Sequence, residues 1–132
     1  MAANVYGEQV RLALLEARPA GLTAQQLVAA TGLSLYQVRK GILYIREVAA
    51  MANLTQLIWT YAYGYAFAST PVDWIAYERS RLRMELTRVS RFLSATVAPH
   101  TALTPEEDWI KLVLGQLNVI QTALSLVNKA EV

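Results

Sequence analysis

Residues 23–46, TAQQLVAATGLSLYQVRKGILYIR, read as two short helices joined by a tight turn. Thr23 is placed to cap the first helix, with Gln26 reaching back from its third position, and Leu27 and Val28 begin an apolar face. Thr31-Gly32-Leu33 is the turn, where Gly32 supplies a backbone conformation that residues with a Cβ adopt reluctantly. Ser34 and Gln37 repeat the cap on the second helix, and Val38, Ile42 and Ile45 share one face of it. Gly41 interrupts that helix at a cost of about 1 kcal/mol relative to alanine, which predicts close approach of another helix. Ser34, Leu35, Tyr36, Gln37, Arg39 and Lys40 are left as a basic, amide-bearing front.

Working outward, residues from about Val5 to Ala17 form a first helix with Val10, Leu14 and Ala17 on one face, ended by Arg18-Pro19-Ala20-Gly21. Downstream the period changes. Residues 55–69, TQLIWTYAYGYAFAS, are rich in strand-forming side chains, and Ala62-Tyr63-Gly64 gives a turn signal. Two antiparallel strands, Gln56–Tyr61 and Tyr65–Ser69, are expected, with Trp59 and Phe67 facing the helices. A lone hairpin is marginal in water, so it must pack on something.

This segment, a Thr-Gly-Leu-Ser turn, a second short helix and then a hairpin, resembles the winged helix-turn-helix proteins of bacteria and phages, in the general form of MarR-like and PadR-like regulators. The likeness covers residues from about 8 to 69, roughly half of the chain. It implies binding to double-stranded DNA as a dimer, commonly as a transcriptional repressor. One departure stands out. Wing tips in such proteins commonly carry Arg or Lys, whereas this tip offers Tyr61, Tyr63 and Tyr65 with no cation. A tyrosine hydroxyl such as that of Tyr63 can donate to a phosphate but adds no counterion-release term.

Thr70-Pro71-Val72-Asp73 opens a long helix: a capping threonine, proline at the first helical position and a carboxylate at the third. An apolar stripe of Ile75, Leu82, Leu86, Val89, Leu93 and Val97 carries it to about Ala98, where Pro99-His100 is expected to break it. Arg79, Arg81, Arg83, Arg88 and Arg91 lie on the remaining surface, read either as a solvated face laced with ion pairs or as phosphate contacts. Thr104-Pro105-Glu106-Glu107 repeats the helix-opening pattern, with Glu107 completing a capping box. In the last helix Ile110, Val113, Leu117, Ile120, Leu124 and Val127 alternate gaps of three and four, a heptad seam read as the oligomerisation surface. Leu112, Val119 and Leu126 add a second line, suiting a helix packed on its own chain and on a partner. The expected organisation is therefore mainly α with a small β-hairpin: a winged helix-turn-helix over 1–69 and a helical oligomerisation arm over 70–132.

Composition narrows the function classes. The chain has 132 residues and no cysteine, which excludes disulfides, thiolate nucleophiles and Cys-ligated zinc. Its net charge is +2, with five basic and three acidic residues in each of 1–69 and 70–98, and two basic against four acidic in 99–132. Hydrophobic residues make up 55%, more apolar surface than a monomer of this size readily hides, which favours an oligomer, and the resemblance implies a homodimer. No stretch approaches the roughly 18 consecutive apolar residues of a membrane span, and the N-terminus lacks a signal-peptide pattern. A cytoplasmic, nucleoid-associated protein of a bacterial or phage-infected cell, without a membrane partner, is expected. His100 is the single histidine, the six glycines form no phosphate loop, and the acids near Arg79 to Arg91 favour ion pairs over acid–base work. Neither an enzyme nor a cofactor or metal is expected.

The reading of the front is that Gln37 addresses adenine, Arg39 or Lys40 guanine, and Tyr36 a thymine methyl or a phosphate, while Ser34 and Thr23 meet phosphates at helix N-termini. Two alternatives belong to other classes. One is a protein-interaction module on the same fold, for example a phage protein that binds a host factor. The other is an architectural or segregation protein that binds duplex DNA broadly.

Overall fold

The computed structural model describes residues 2–130 and is mainly helical, with one antiparallel hairpin. Helices α1 (Ala3–Ala17), α2 (Ala24–Thr31) and α3 (Leu35–Tyr44) come first. α3 then runs on through a wide π-turn, Ile45–Ala49, into α4 (Ala50–Asn53), well past the expected end near Arg46. Strands β1 (Leu57–Thr60) and β2 (Gly64–Phe67) are slightly shorter than expected and pair Leu57 with Phe67 and Trp59 with Tyr65. The chain divides into two compact units, 1–77 and 78–132. The boundary thus falls inside α5 (Pro71–Phe92), not at the 69/70 junction, because the first turns of α5 are tied to the N-terminal unit. There Ser69 Oγ donates to Asp73 at 3.3 Å and Arg46 Nη2 donates to Tyr77 Oη at 3.2 Å.

The N-terminal unit has one apolar core. Tyr6, Val10 and Leu14 of α1 meet Leu27, Leu33, Val38, Ile42 and Ile45, closed by Leu57 and Phe67 of the hairpin. Phe67 faces the helices as expected. Trp59 shares that face with Leu57 but lies beyond the core and is exposed, so the buried place on β1 belongs to Leu57. The expected close approach at Gly41 is present. A Cβ there would lie 2.8 Å from the carbonyl carbon and oxygen of Tyr6, and one on Gly7 would lie 2.6 Å from Tyr44 Cδ1. The two glycines let the α1 and α3 backbones cross in contact. On the outer side of α1, Arg11 donates to both Glu8 oxygens at 2.9 and 2.6 Å. That pairing holds the Glu8 carboxyl below its usual range, so its small contribution to stability is present at neutral pH and is lost as acid protonates the folded-state carboxylate.

One strand pairing escaped the sequence reading. Leu22 exchanges two backbone hydrogen bonds with Tyr65, at 2.8 and 2.7 Å, so the segment before α2 lies against β2 as a third, single-residue strand. Only glycine fits beside it. Gly64 has φ +77° and a Cβ there would meet the Leu22 carbonyl oxygen at 2.5 Å, while Gly21 abuts the Tyr63 carbonyl.

In the C-terminal unit the long helix does not break at Pro99-His100. It passes through a second π-turn, Leu93–Val97, into α6 (Ala98–Leu103), and ends at Thr104. Proline lacks the N–H that the preceding turn of an α-helix would need, and the wider turn ahead of Pro99 absorbs that loss. The expected capping box at Thr104 is also not formed. Thr104 Oγ1 donates to the His100 carbonyl and to Glu107 Oε2, both at 3.1 Å, and α7 (Asp108–Lys129) starts only after Glu107. Glu107 also meets His100 Nε2 at 3.2 Å, so this turn is tied by its polar side chains.

The heptad seam of α7 is only partly the free surface it was read as. Ile110 is buried with Leu93 and Val97, and Val113, Leu114 and Leu117 pack on the same cluster. Gln121 Nε2 donates to Ser90 Oγ at 2.9 Å on this inner side, and Leu124 is half-buried. Ile120 and Val127, at the seam's edge, are exposed. The expectation that no segment could span a bilayer needs correction: by length and apolar composition α7 could cross one, since scattered polar residues such as Gln116 and Asn118 do not outweigh its Leu, Val and Ile content.

Two backbone substitutions should move stability in opposite directions. Gly41→Ala puts a methyl group into the α1–α3 crossing and should cost about 1–3 kcal/mol. Leu54, which ends α4 at φ +49° with its side chain 82% exposed, sits in a left-handed conformation unfavourable by about 1–2 kcal/mol for a residue with a Cβ. Leu54→Gly should raise the midpoint of urea denaturation while Gly41→Ala lowers it.

Candidate nucleic-acid interface

The front of α3 is built from its back. Val38 is fully buried and Ile42 and Ile45 nearly so, and this fixes the roll of the helix. At 3.6 residues per turn the opposite side then carries Tyr36, Arg39, Lys40 and Leu43. Tyr36 is 66% exposed, Arg39 and Lys40 are exposed, and Leu43 is half exposed. Leu35, at the first turn, is half-buried. Lys40 Nζ stands 5.4 Å over the Tyr36 ring, a cation–π contact that holds the two side chains together. Among the described residues no ion pair engages Arg39 or Lys40.

Both N-termini are capped as the sequence predicts. Thr23 Oγ1 accepts from the Gln26 N–H at 3.1 Å and Ser34 Oγ from the Gln37 N–H at 3.2 Å, and each glutamine side chain closes its box at 2.9 Å. Gly32, at φ +73°, ends α2 and turns the chain into α3. The two hydroxyls are exposed and keep a proton to donate outward, at the positive ends of their helices.

Gln37 is where the geometry departs most from the expectation. Its Oε1 accepts from the Ser34 N–H, and its Nε2 donates to Tyr6 Oη at 3.3 Å. Both ends of the amide are therefore engaged within the protein, so its orientation is set by the cap and by Tyr6, with one N–H and one oxygen lone pair left over. The signal was present in the sequence, since a glutamine three residues after Ser34 serves either a cap or a ligand, and the buried Tyr6 decides for the cap.

Tyr63 is at the hairpin tip, 70% exposed, with its carbonyl against Gly21 at the entrance to α2 and not on the front of α3. Tyr61 is 96% exposed and makes an edge-on contact with Trp59 at 4.7 Å between ring centroids. Tyr65, the third tyrosine of the tip, instead turns inward beneath Arg46, whose guanidinium lies 5.6 Å above its ring. Arg46 therefore joins α3's continuation to the hairpin and, through Tyr77, to α5. The sequence reading gave Arg46 no role, because its partners Tyr65 and Tyr77 lie far along the chain.

No family model matches the chain, and no curated protein or solved structure resembles it significantly.

The double duty of Gln37 gives a separable outcome. Gln37→Ala removes the side-chain partner of the Ser34 N–H at the start of α3 and should cost about 1 kcal/mol of stability. Arg39→Ala should leave stability within about 0.5 kcal/mol of the parent, as for other exposed sites. Thermal unfolding of the two variants followed by circular dichroism checks both values.

Proposed function

We propose that this chain is a winged helix-turn-helix protein that binds double-stranded DNA through the front of α3, acting as a homodimeric transcriptional regulator, most simply a repressor. The observation that carries this reading is the roll of α3. Its apolar back is buried, and a tyrosine and two cations that no ion pair engages among the described residues are presented outward beside two exposed N-terminal hydroxyls. A helix of this width with such a front fits a major groove, with Arg39 and Lys40 reaching guanine edges or phosphates and Tyr36 a thymine methyl. Thr23 and Ser34 donate to the flanking backbone. Gln37 supports the helix and is not counted among the base-reading groups.

A second reading rests on the hairpin tip. Trp59, Tyr61 and Tyr63 form an exposed aromatic end without a cation, which suits a protein partner better than a phosphate. Under that reading the fold would serve as an interaction module, and its DNA affinity would show no salt dependence.

Selection from a random duplex pool, followed by titrations at several salt concentrations, tests the proposal. The parent should enrich a sequence and bind it more tightly than random duplex. The Arg39→Ala, Lys40→Ala double variant should weaken binding and flatten the plot of log K against log salt by about one for each residue that meets a phosphate. A parent that enriches nothing yet binds all duplexes equally would indicate an architectural protein. A double variant with an unchanged slope would remove α3 as the contact.

A further inference from the structure

We infer that the outer face of α7 is a self-pairing surface, on which a second copy of this chain docks its own α7 antiparallel. The inference takes up the two-copy assembly proposed above and does not depend on DNA binding. It starts from an imbalance in α7. The inner side of this helix is occupied by Leu93, Val97 and Val89 of its own chain. On the far side Trp109, Leu112, Gln116, Val119, Ala123 and Leu126 follow one another at gaps of three and four, the spacing of a coiled-coil seam. Their large members stay open to solvent: Trp109 and Leu112 are each 62% exposed, Val119 64% and Leu126 67%. A helix that is apolar on two sides needs a second neighbour.

Three features name that neighbour as a copy of the same chain. First, the seam reads the same in both directions, since its gaps run three, four, three, four, three. Antiparallel pairing about its centre sets Trp109 against Leu126, Leu112 against Ala123 and Gln116 against Val119. Every layer then joins a larger side chain to a smaller one, as interdigitating helices require. A parallel pair would instead oppose Trp109 to Trp109 and leave Ala123 facing Ala123. Second, the charges complement each other. The seam itself carries none, and Glu106 and Asp108 at one end of α7 come beside Lys129 at the other end of the partner helix. Parallel pairing would place the acidic ends together. Antiparallel pairing also opposes the helix dipoles favourably. Third, Gly115 is exposed in mid-helix beside this seam, and among the described residues no neighbour outside its own helix backbone comes within 4 Å of where its Cβ would be. Gly7, Gly41 and Gly64 each face a neighbouring residue at close range, whereas the neighbour that would account for Gly115 lies outside the chain. The single polar seam residue, Gln116, lies next to the symmetry axis, where an amide can both donate to and accept from its copy.

Sedimentation equilibrium of the full chain, without DNA, is the first measurement. A dimer is expected, and the Leu112→Glu, Val119→Glu double variant should sediment as a monomer with unchanged helical circular dichroism. Both replaced residues are exposed, so the fold should tolerate them. Orientation is read from disulfide trapping, which the absence of native cysteine makes clean. Leu112→Cys mixed with Ala123→Cys should give a linked heterodimer under mild oxidation. Neither variant should link to itself, because like positions stand about 16 Å apart along the axis at 1.5 Å per residue. A monomeric parent, a double variant that still dimerises, or self-linkage of each cysteine variant overturns the inference. So does a monomeric parent that floats with phosphatidylcholine vesicles, since the outer face would then belong to lipid.

Discussion

The contact between the α1 and α3 backbones sets the geometry of the N-terminal unit. Tyr6 and Gly7 on one helix meet Gly41 on the other so closely that no side-chain carbon fits between them. A crossing made by backbone atoms allows little sliding or rolling, because any shift trades a fitted contact for a clash. The roll of α3 is therefore fixed twice, by Gly41 and by Val38 and Ile42 in the core. The Tyr6 hydroxyl bonded to Gln37 adds a third tie one turn earlier. The outward direction of Tyr36, Arg39 and Lys40 follows from these ties, and the front is held by its support and not by its own contacts.

The hairpin depends on a similar device. The chain before α2 lies against β2 through Leu22 and Tyr65, and glycine at 21 and 64 makes room for it. This pairing explains how two four-residue strands persist. They gain a third edge partner, and Leu57 and Phe67 gain the helical core beneath them. Arg46, stacked over Tyr65 and bonded to Tyr77, then carries the position of the hairpin into the first turns of α5.

Much of this was legible in the sequence because the signals are local. Two capping boxes, a left-handed glycine and an alternation of strand-forming residues each need only a few neighbouring residues, and all are present. The losses have one cause: residues with two possible uses, decided by partners distant in sequence. Gln37 could serve a cap or a ligand until Tyr6, thirty-one positions away, claims its second end. Trp59 was expected to face the helices, yet the place over the core on β1 is filled by Leu57, and alternation alone does not say which residue of a shared face lies above the core. Pro99 looked like a stop, but a π-turn ahead of it lets the helix continue. The heptad of α7 was recognised, while its division into an inner line and an outer line depends on where α5 and its continuation run.

The sparse charge of the chain bears on how DNA recognition could work at all. One α3 front offers two cations, and the tip of the hairpin offers none. Each neutralised phosphate contributes through released counterions, so a single protomer with so few contacts would bind weakly at physiological salt. Two fronts on one particle change the arithmetic, because the second contact is made at the high effective concentration that the first one sets. A protein with this composition therefore gains more from pairing than a strongly basic one would. The uncharged seam proposed on α7 would provide pairing without spending any of these few cations, and it would leave Arg39 and Lys40 of both copies free to meet a duplex.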